Sequence, residues 1–257
     1  MEGAGNDYVY VDGFQEKAED AVAVSIKVSH RHFGIGADGL IIIQPTEDES
    51  VARMEMYNAD GSSSEMCGNG LRCVAKFVFD HGYSKGAKEF SLQTGDGLKG
   101  VKIIDGVGGL AESVTIDMGE PVLEGVKIPT TWNQNPVLLE KLTVLDKTFY
   151  VTCVSMGNPH CVIFVDNVKE FPVEKYGPLI ENDSRFPKRV NIEFVEVVSR
   201  TEFIQRTWER GSAETWACGT GASAVCVAGV LTGKGDSDVL IHLLGGDLKL
   251  NWEGMGY

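Results

Sequence analysis

Short apolar runs recur along the chain and predict strands. Eight runs of about four to seven residues are rich in β-branched, aromatic or other apolar side chains: 8–11, 40–43, 54–57, 114–118, 151–154, 162–165, 192–198 and 204–208. Two longer, mostly apolar segments, 70–79 and 221–231, predict helices, and the second is apolar on nearly all sides, as in a buried helix. Gly82 and Gly233 follow these segments and are predicted to end them.

The same sequence features occur twice, about 150 residues apart. The segment 5–12 resembles 157–166, and the segment 67–70 (Cys-Gly-Asn-Gly) resembles 218–221 (Cys-Gly-Thr-Gly). The offset is 152 residues for the first pair and 151 for the second. Because the offsets agree within one residue, we predict two similar halves that face each other, with both cysteine turns at one shared cleft. Clefts between domains are favoured ligand sites.

Composition and charge narrow the classes of function. The 257 residues include 37 acidic and 23 basic side chains, a formal net charge of −14. Such a surface repels nucleic-acid backbones and anionic lipid. No stretch approaches the ~20 apolar residues of a membrane-spanning helix, and the sequence shows no secretion signal. We therefore expect a cytoplasmic protein with no nucleic-acid partner and no membrane partner.

Four of the six cysteines are expected to be packing residues. Cys73, Cys153, Cys161 and Cys226 lie inside predicted helices or strands, and free cysteine is among the most buried residue types. The chain has no Cys-x-x-Cys pair and no nearby histidine pair at helical spacing, so the spacing does not favour a zinc site. In a cytosol the thiols are expected to stay reduced.

The other two cysteines, Cys67 and Cys218, each stand at a turn that opens a predicted helix and precede a glycine. The unpaired N–H groups of a helix N-terminus bind anions and favour a thiolate. Two such turns that face each other predict stereoinversion at the α-carbon of a bound carboxylate. One thiolate removes the α-proton and the other thiol returns a proton to the opposite face, while the helix N-termini stabilise the enediolate. Two ordinary helix N-caps, or a redox pair that forms a disulfide, are the alternatives.

A set of motifs in fixed order resembles diaminopimelate epimerases, a family of cofactor-independent epimerases of lysine and cell-wall biosynthesis. The resemblance covers nearly the whole chain and is carried by the motifs at 3–7, 34–39, 57–61, 67–73, 157–160, 190–191, 209–214 and 217–221. It implies an α+β fold of two pseudo-symmetric domains, each a curved, mostly antiparallel sheet wrapped around a central helix. The first domain is expected to span 1–115 and to be rejoined by residues from about 247 to 257. The second is expected to span 116–246.

The resemblance also implies roles for individual residues, with LL- and meso-diaminopimelate as the substrates. The catalytic set is Cys67 and Cys218 as the base and acid pair, with His160 and Glu209 beside them. The substrate-binding set is Asn6, Asn58, Gly68, Asn69, Asn158, Asn191, Glu209, Arg210, Gly219 and Thr220. Within it, Gly68, Asn69, Gly219 and Thr220 match the backbone cradle for the reacting carboxylate. Arg210 can hold the distal carboxylate through two hydrogen bonds. No cofactor and no metal are expected.

The residues leave several alternatives open. A cofactor-independent racemase of another amino acid would keep the two-thiol chemistry, although Asn69 stands where proline racemases carry histidine. A non-catalytic amino-acid-binding protein and a redox sensor are the alternatives from other classes. The chain begins almost at the first motif and ends before the family's usual last strand, so the first domain is expected to lack edge strands. A homodimer is one assembly left open, and a plant source would place the protein in a plastid.

Overall fold

The computed structural model describes residues 1–64 and 66–255, which fall into two compact units, Met1–Asp117 and Met118–Tyr257. Within the described residues, each unit contains one eight-stranded sheet. The boundary lies after Asp117, two residues from the predicted one. None of the helices in the described part of the chain is long and apolar enough to cross a bilayer.

Among its described residues, the first unit contains a mixed sheet, two α-helices and a 3-10 turn at Val107–Gly109. Its elements are β1 Glu2–Gly3, β2 Asn6–Asp12, α1 Ala21–Ser29, β3 Gly39–Gln44, β4 Ala52–Asn58, β5 Ser63–Ser64, α2 Gly68–Asp80, β6 Glu89–Thr94, β7 Gly97–Asp105 and β8 Ala111–Ile116. The strand order is β1-β2-β3-β4-β6-β7-β8, with β5 paired to β4. The β2–β3 and β4–β6 pairs are parallel and the others antiparallel.

The helix α2 supplies the core of this unit. Its buried apolar residues, Leu71, Val74, Ala75 and Val78, follow the three- and four-residue spacing of one helix face. They pack in one cluster with alternate residues of β4, Ala52, Met54 and Met56, because successive side chains of a strand point to opposite faces.

The elements of the second unit begin with one extra strand, then repeat the order from β1 to β7, and include no counterpart of β8 among the described residues. They are β9 Val137–Val144, β10 Lys147–Ser155, β11 Pro159–Phe164, α3 Val173–Glu181, β12 Asn191–Ser199, β13 Glu202–Glu209, β14 Ala213–Thr215, α4 Gly219–Leu231, β15 Asp238–Leu243 and β16 Gly246–Asn251. The strand order is β16-β15-β13-β12-β11-β10-β9, with β14 paired to β13. The β11–β12 and β13–β15 pairs are parallel, as β2–β3 and β4–β6 are in the first unit. The predicted internal repeat is therefore present in the topology.

Both faces of the second sheet are covered. Val162 and Val195 pack with α4, whereas their strand neighbours Ile163 and Phe194 pack in a second cluster with residues of α3. This double burial explains the continuous apolar runs of β11 and β12, which a strand with one exposed face would not show. The helix α4 is buried from Gly221 to Gly229, as predicted.

The structure confirms the predicted helix ends and the packing cysteines. Gly82 and Gly233 directly follow the C-caps of α2 and α4 and adopt φ values of 78° and 70°, a conformation that glycine accepts without steric cost. All six cysteines are free thiols. The four assigned to packing, Cys73, Cys153, Cys161 and Cys226, are buried.

The prediction that the chain rejoins the first domain from about residue 247 is wrong for β16. Gly246–Asn251 pairs antiparallel with β15 in the second sheet, in a register that runs from Leu243↔Gly246 to Asp238↔Asn251. A two-residue turn joins these strands, and such a short connection favours pairing with the strand just completed. Trp252 also packs in the α4 cluster of the second unit. Residues 256–257 lie outside the described residues.

Candidate active site

Two cysteines occupy matching positions at the starts of α2 and α4. Cys67 is the N-cap of α2, and its Sγ accepts a hydrogen bond from the Gly70 N–H at 3.5 Å. Cys218 is the N-cap of α4, and its Sγ accepts from the Gly221 N–H at 3.4 Å. Both have extended backbone, as N-caps require. The first helical residues that follow are Gly68 and Asn69 in α2, and Gly219 and Thr220 in α4.

The Cys67 cluster comprises Asn6, Tyr8, Cys67, Asn69 and Arg72. The Tyr8 hydroxyl lies 3.9 Å from the Cys67 Sγ. The Asn69 amide donates to Asn6 Oδ1 at 2.5 Å, and Arg72 donates to Asn69 Oδ1 at 2.6 Å. Burial lowers the pKa of the Arg72 guanidinium, and its attraction to Cys67 acts in the opposite direction. Two hydrogen bonds thus join the half-buried Arg72 to Asn6 through the side chain of Asn69, in the first turn of α2.

The side chain of Asn58 lies in the turn after β4. Its side chain donates to Ser62 Oγ at 2.9 Å, and its backbone accepts from Gly61 and from the Ser25 hydroxyl. These contacts make Asn58 part of the turn after β4. The described contacts do not join it to the Cys67 cluster.

The Cys218 cluster comprises Asn158, His160, Glu193, Glu209 and Cys218. The His160 Nδ1 lies 2.7 Å from Glu193 Oε1, and its Nε2 lies 2.9 Å from Asn158 Oδ1, both within hydrogen-bond distance. His160 and Glu193 are both fully buried. One donor atom from each of His160, Glu193 and Cys218 lies within 4.8 Å of the other two. Among the described residues, this is also the group that could hold a metal ion.

The strand register explains how this cluster forms. His160 on β11 lies beside Asn191 on β12, and the Asn191 side chain accepts from the Arg210 N–H at 3.0 Å. Glu209, at the end of β13, accepts from the Thr215 hydroxyl at 2.5 Å. The register thereby places five of the predicted residues at or beside neighbouring strand ends: Asn158, His160, Asn191, Glu209 and Arg210.

The environment of Cys218 raises the pKa of its thiol well above its ordinary value of 9.0. Burial is the largest cause, and the carboxylates of Glu209 and Glu193 add to it. Hydrogen bonds from Thr220 and the Gly221 N–H act in the opposite direction. The expectation of thiolate character is therefore wrong for Cys218, because desolvation and two negative charges outweigh one helix N-terminus. Cys218 is a thiol at neutral pH.

Arg210 presents its guanidinium to solvent. The residue is exposed, and its Nη1 donates to the backbone oxygen of Lys188 at 3.2 Å. No carboxylate of the described chain forms an ion pair with it. An exposed guanidinium without a carboxylate partner can donate two hydrogen bonds to a ligand carboxylate.

Sequence reasoning missed two charged residues beside the cysteines, the buried Glu193 and the half-buried Arg72. Glu193 is the single acid in the buried apolar part of β12, Asn191–Ser199, and its Oε2 has no hydrogen-bond partner. A lone acid in a buried strand is costly unless it is paired, and this pattern was the available signal. Arg72 carried a weaker signal, because an arginine in an amphipathic helix is more often solvent-exposed.

Solved structures with low sequence identity share this fold. A phenazine biosynthesis protein of the PhzF family from Bacillus anthracis has a TM-score of 0.67 at 14% identity, and the match covers 97% of this chain and 85% of that one. A hydroxyproline epimerase from Agrobacterium vitis has a TM-score of 0.66 at 15% identity and covers 100% and 83%. The fold is thus the two-unit α+β class to which these proteins belong.

Closer relatives identify the family within this class. The family model described as diaminopimelate epimerase matches residues 1–124 and 152–257. A diaminopimelate epimerase from Brachyspira hyodysenteriae is 51% identical over 98% of this chain and 90% of its own length. The relative of that name from Agathobacter rectalis is also 51% identical, with the same coverage. The chain belongs to the diaminopimelate epimerase family and is an enzyme of the isomerase class.

Proposed function

We propose that the chain interconverts LL- and meso-diaminopimelate by two-base chemistry at Cys67 and Cys218, a step of lysine and peptidoglycan precursor biosynthesis. The observation that carries the mechanism is the pair of cysteines at matching helix N-caps. The substrate comes from the names of relatives that are about half identical over nearly the whole chain. Thiols alone move the proton in this scheme, so it uses no pyridoxal phosphate.

The chemistry divides between the two sulfurs. The Cys67 thiolate takes the α-proton and becomes a thiol, and the Cys218 thiol gives its proton to the opposite face and becomes a thiolate. One bond to hydrogen breaks and one forms, and microscopic reversibility exchanges the roles in the reverse direction. The raised pKa of Cys218 favours its role as the acid in the first direction.

Backbone donors stabilise the charge that develops on the reacting carboxylate. The proposal assigns this role to the first-turn N–H groups of Gly68 and Asn69 in α2, and of Gly219 and Thr220 in α4. The N–H groups in the first turn of a helix point towards its N-terminus and can bind an anion, and fixed donors at a developing enediolate lower the barrier without reorganisation.

The remaining polar residues hold the rest of the substrate. His160 and Glu209 lie beside Cys218 and tune its proton transfer. Arg210 binds the distal carboxylate. The amino groups are bound by side chains or backbone groups of four asparagines: Asn6, Asn58, Asn158 and Asn191. For Asn58 this role needs the backbone or a rearrangement of its turn, because its side chain binds Ser62.

The test is α-proton exchange in D2O, followed by NMR on reduced protein without pyridoxal phosphate. LL-diaminopimelate is compared with proline, histidine, glutamate and lysine. We expect deuterium in diaminopimelate alone, and no stereoinversion in the Cys67→Ala and Cys218→Ala variants. Exchange into another amino acid would keep the two-thiol chemistry and replace the substrate. No exchange by folded, reduced protein would refute the enzymatic proposal.

The cellular setting is also part of the proposal. We expect a cytoplasmic protein, since its six free thiols suit a reducing compartment, or a plastid protein in a plant. We expect no nucleic-acid or membrane partner, because the net charge is −14. A homodimer is the expected assembly, and light scattering on the eluting protein tests it against a monomer.

A further inference from the structure

We propose that Cys218, His160 and Glu193 form a binding site for a borderline-soft divalent cation of the Zn²⁺ type, and that the bound cation holds the enzyme inactive. A sulfur, an imidazole nitrogen and a carboxylate oxygen are the three donor types that proteins use for zinc. In the described structure one such atom from each residue lies within 4.8 Å of the other two. The inactivation, unlike the binding, rests on the proposed function.

The separations suit a tetrahedral ion after small side-chain movements. Bond lengths of about 2.0–2.3 Å place the donors of a tetrahedral zinc site about 3.4–3.6 Å apart. The upper limit of 4.8 Å is about 1.2–1.4 Å longer than this. The His160 Nδ1 and Glu193 Oε1 atoms, 2.7 Å apart, are closer than such a pair and would separate by about 0.7 Å. Side-chain rotation can supply such a shift without moving the strands.

An unsatisfied atom points independently to a ligand at this place. Glu193 is fully buried, and its Oε2 has no hydrogen-bond partner. A buried carboxylate oxygen without a partner carries a desolvation cost. A cation supplies the missing partner, and the other carboxylate of the cluster, Glu209, adds negative charge beside Cys218.

The elements around the cluster leave Glu193 few other partners. A Cβ at Gly221 would lie 2.6 Å from Glu193 Oε1, so the carboxylate packs directly against the first turn of α4. His160 approaches from β11 and Cys218 from the N-cap of α4. The three donors therefore come from three different elements, whose backbones are held by the core while the side chains adjust.

Binding exchanges one proton for the metal. The Cys218 thiol loses its proton to solvent as the sulfur–metal bond forms, while His160 binds as neutral imidazole and Glu193 as carboxylate. A metal-bound sulfur has no proton to give. Epimerisation therefore stops until the ion is removed, and the substrate and the ion compete for the same thiol.

The test uses metal-free protein, reduced with a phosphine, and titrates it with Co²⁺. Charge transfer from thiolate to cobalt absorbs in the near ultraviolet and reports sulfur coordination directly, and Zn²⁺ is then added in competition. The Cys67→Ala variant is the matched control, since it removes the other N-cap sulfur and leaves the three donors intact. The Cys218→Ser and Glu193→Gln variants each remove one proposed donor.

We expect one equivalent of metal and the absorption band in the wild-type protein and in Cys67→Ala. The band should be lost in Cys218→Ser, and affinity should fall at least about tenfold in Glu193→Gln. Loss of the absorption band in Cys67→Ala would overturn the proposed site. Binding of cobalt by Glu193→Gln with the affinity of the wild-type protein would also overturn it. If Glu193→Gln does not fold by circular dichroism, Asn158→Ala tests the site through the amide beside His160, with the same expected direction.

Activity provides a separate measurement. One equivalent of Zn²⁺ should abolish α-proton exchange, and a chelator should restore it. Exchange that continues with the cobalt band present would overturn the inactivating role. If the metal-free protein exchanges no amino acid, the proposed function fails, yet the cobalt titration still decides the metal site.

Discussion

At the residue scale, the protonation state of Cys218 depends on competing contacts around one sulfur. A helix N-terminus stabilises a nearby negative charge by about 0.3–1 kcal/mol at an exposed position. Burial moves a pKa by up to about 3–5 units, and each unit corresponds to about 1.4 kcal/mol. The buried Cys218, with two carboxylates nearby, is therefore a thiol although it caps a helix. The same N-cap motif does not give the same chemistry at every position.

This balance predicts how Cys218 responds to loss of a neighbouring charge. The Glu209 carboxylate raises the Cys218 pKa, so Glu209→Gln should lower it and increase the thiolate fraction at a given pH. We expect faster alkylation of Cys218 by iodoacetamide, followed by mass spectrometry of its own peptide. The control is Glu202→Gln, whose carboxylate binds His242 instead. Equal alkylation rates in wild type and Glu209→Gln would contradict the electrostatic explanation.

At the element scale, α1 and α3 form where local patterns gave no helix signal. The sequence of α1, Ala21–Ser29, begins with four apolar residues and then alternates apolar and polar residues from Val24 to Ser29, as a strand would. Its N-cap Asp20 accepts from the Ala23 N–H, and its packing against β3 and β4 favours the helix. The sequence of α3, Val173–Glu181, contains Gly177 and Pro178, which are poor helix residues. Tertiary packing outweighs propensity in both helices.

Gly177 gives a direct test of the packing of α3. A Cβ at this position would lie 2.5 Å from the Trp208 ring, and the Trp208 indole is held by a hydrogen bond to Glu181. We expect Gly177→Ala to lower the free energy of unfolding by about 1–3 kcal/mol, although alanine is otherwise the better helix residue. Urea unfolding measures the change.

The matched control for this substitution is Lys175→Ala on the exposed side of the same helix. It should stay within about 0.5 kcal/mol of wild type. A Gly177→Ala protein as stable as this control would show that Trp208 yields and that α3 is loosely packed.

His242 connects β16 to its sheet and predicts a pH dependence. It lies between Asp247 on β16 at 2.8 Å and Glu202 on β13 at 3.0 Å, and these carboxylates raise its pKa from 6.5. The stabilisation is therefore fully present below the unfolded value and is lost as pH rises through the folded one. The stability difference between wild type and His242→Gln should be larger at about pH 5 than at about pH 8.

Chemical unfolding at the two pH values measures this difference, and Asp247→Asn, which removes one partner, should reduce it. A difference that is the same at both pH values would mean that the imidazole contributes packing rather than charge.

At the scale of the whole molecule, the hydrophobic cores follow the internal repeat. One cluster of buried residues belongs to Met1–Asp117, and the two others belong to Met118–Tyr257. Each sheet therefore has its own core, as expected for a chain that encodes the same topology twice. Local stability then depends mainly on contacts within one unit.

Separate cores predict separate responses to core substitutions. Ile43→Ala in the first unit and Ile163→Ala in the second each remove a buried side chain and should cost about 2–5 kcal/mol. Hydrogen–deuterium exchange by mass spectrometry should show lost protection within residues 1–117 for the first variant and within 118–255 for the second. Each variant is the control for the other. Uniform loss of protection across the chain would contradict separate cores.

The sequence by itself determined the features that repeat at short range or between the halves. The apolar runs of β3 and β12, the helix faces of α2 and α4, their glycine ends and the paired cysteine N-caps all depend on local periodicity and composition. Only the tertiary structure decided the pairing of β16 with β15, the helices α1 and α3, the buried Glu193 and the thiol state of Cys218. These depend on desolvation and on contacts between residues far apart in the chain, which local patterns do not record.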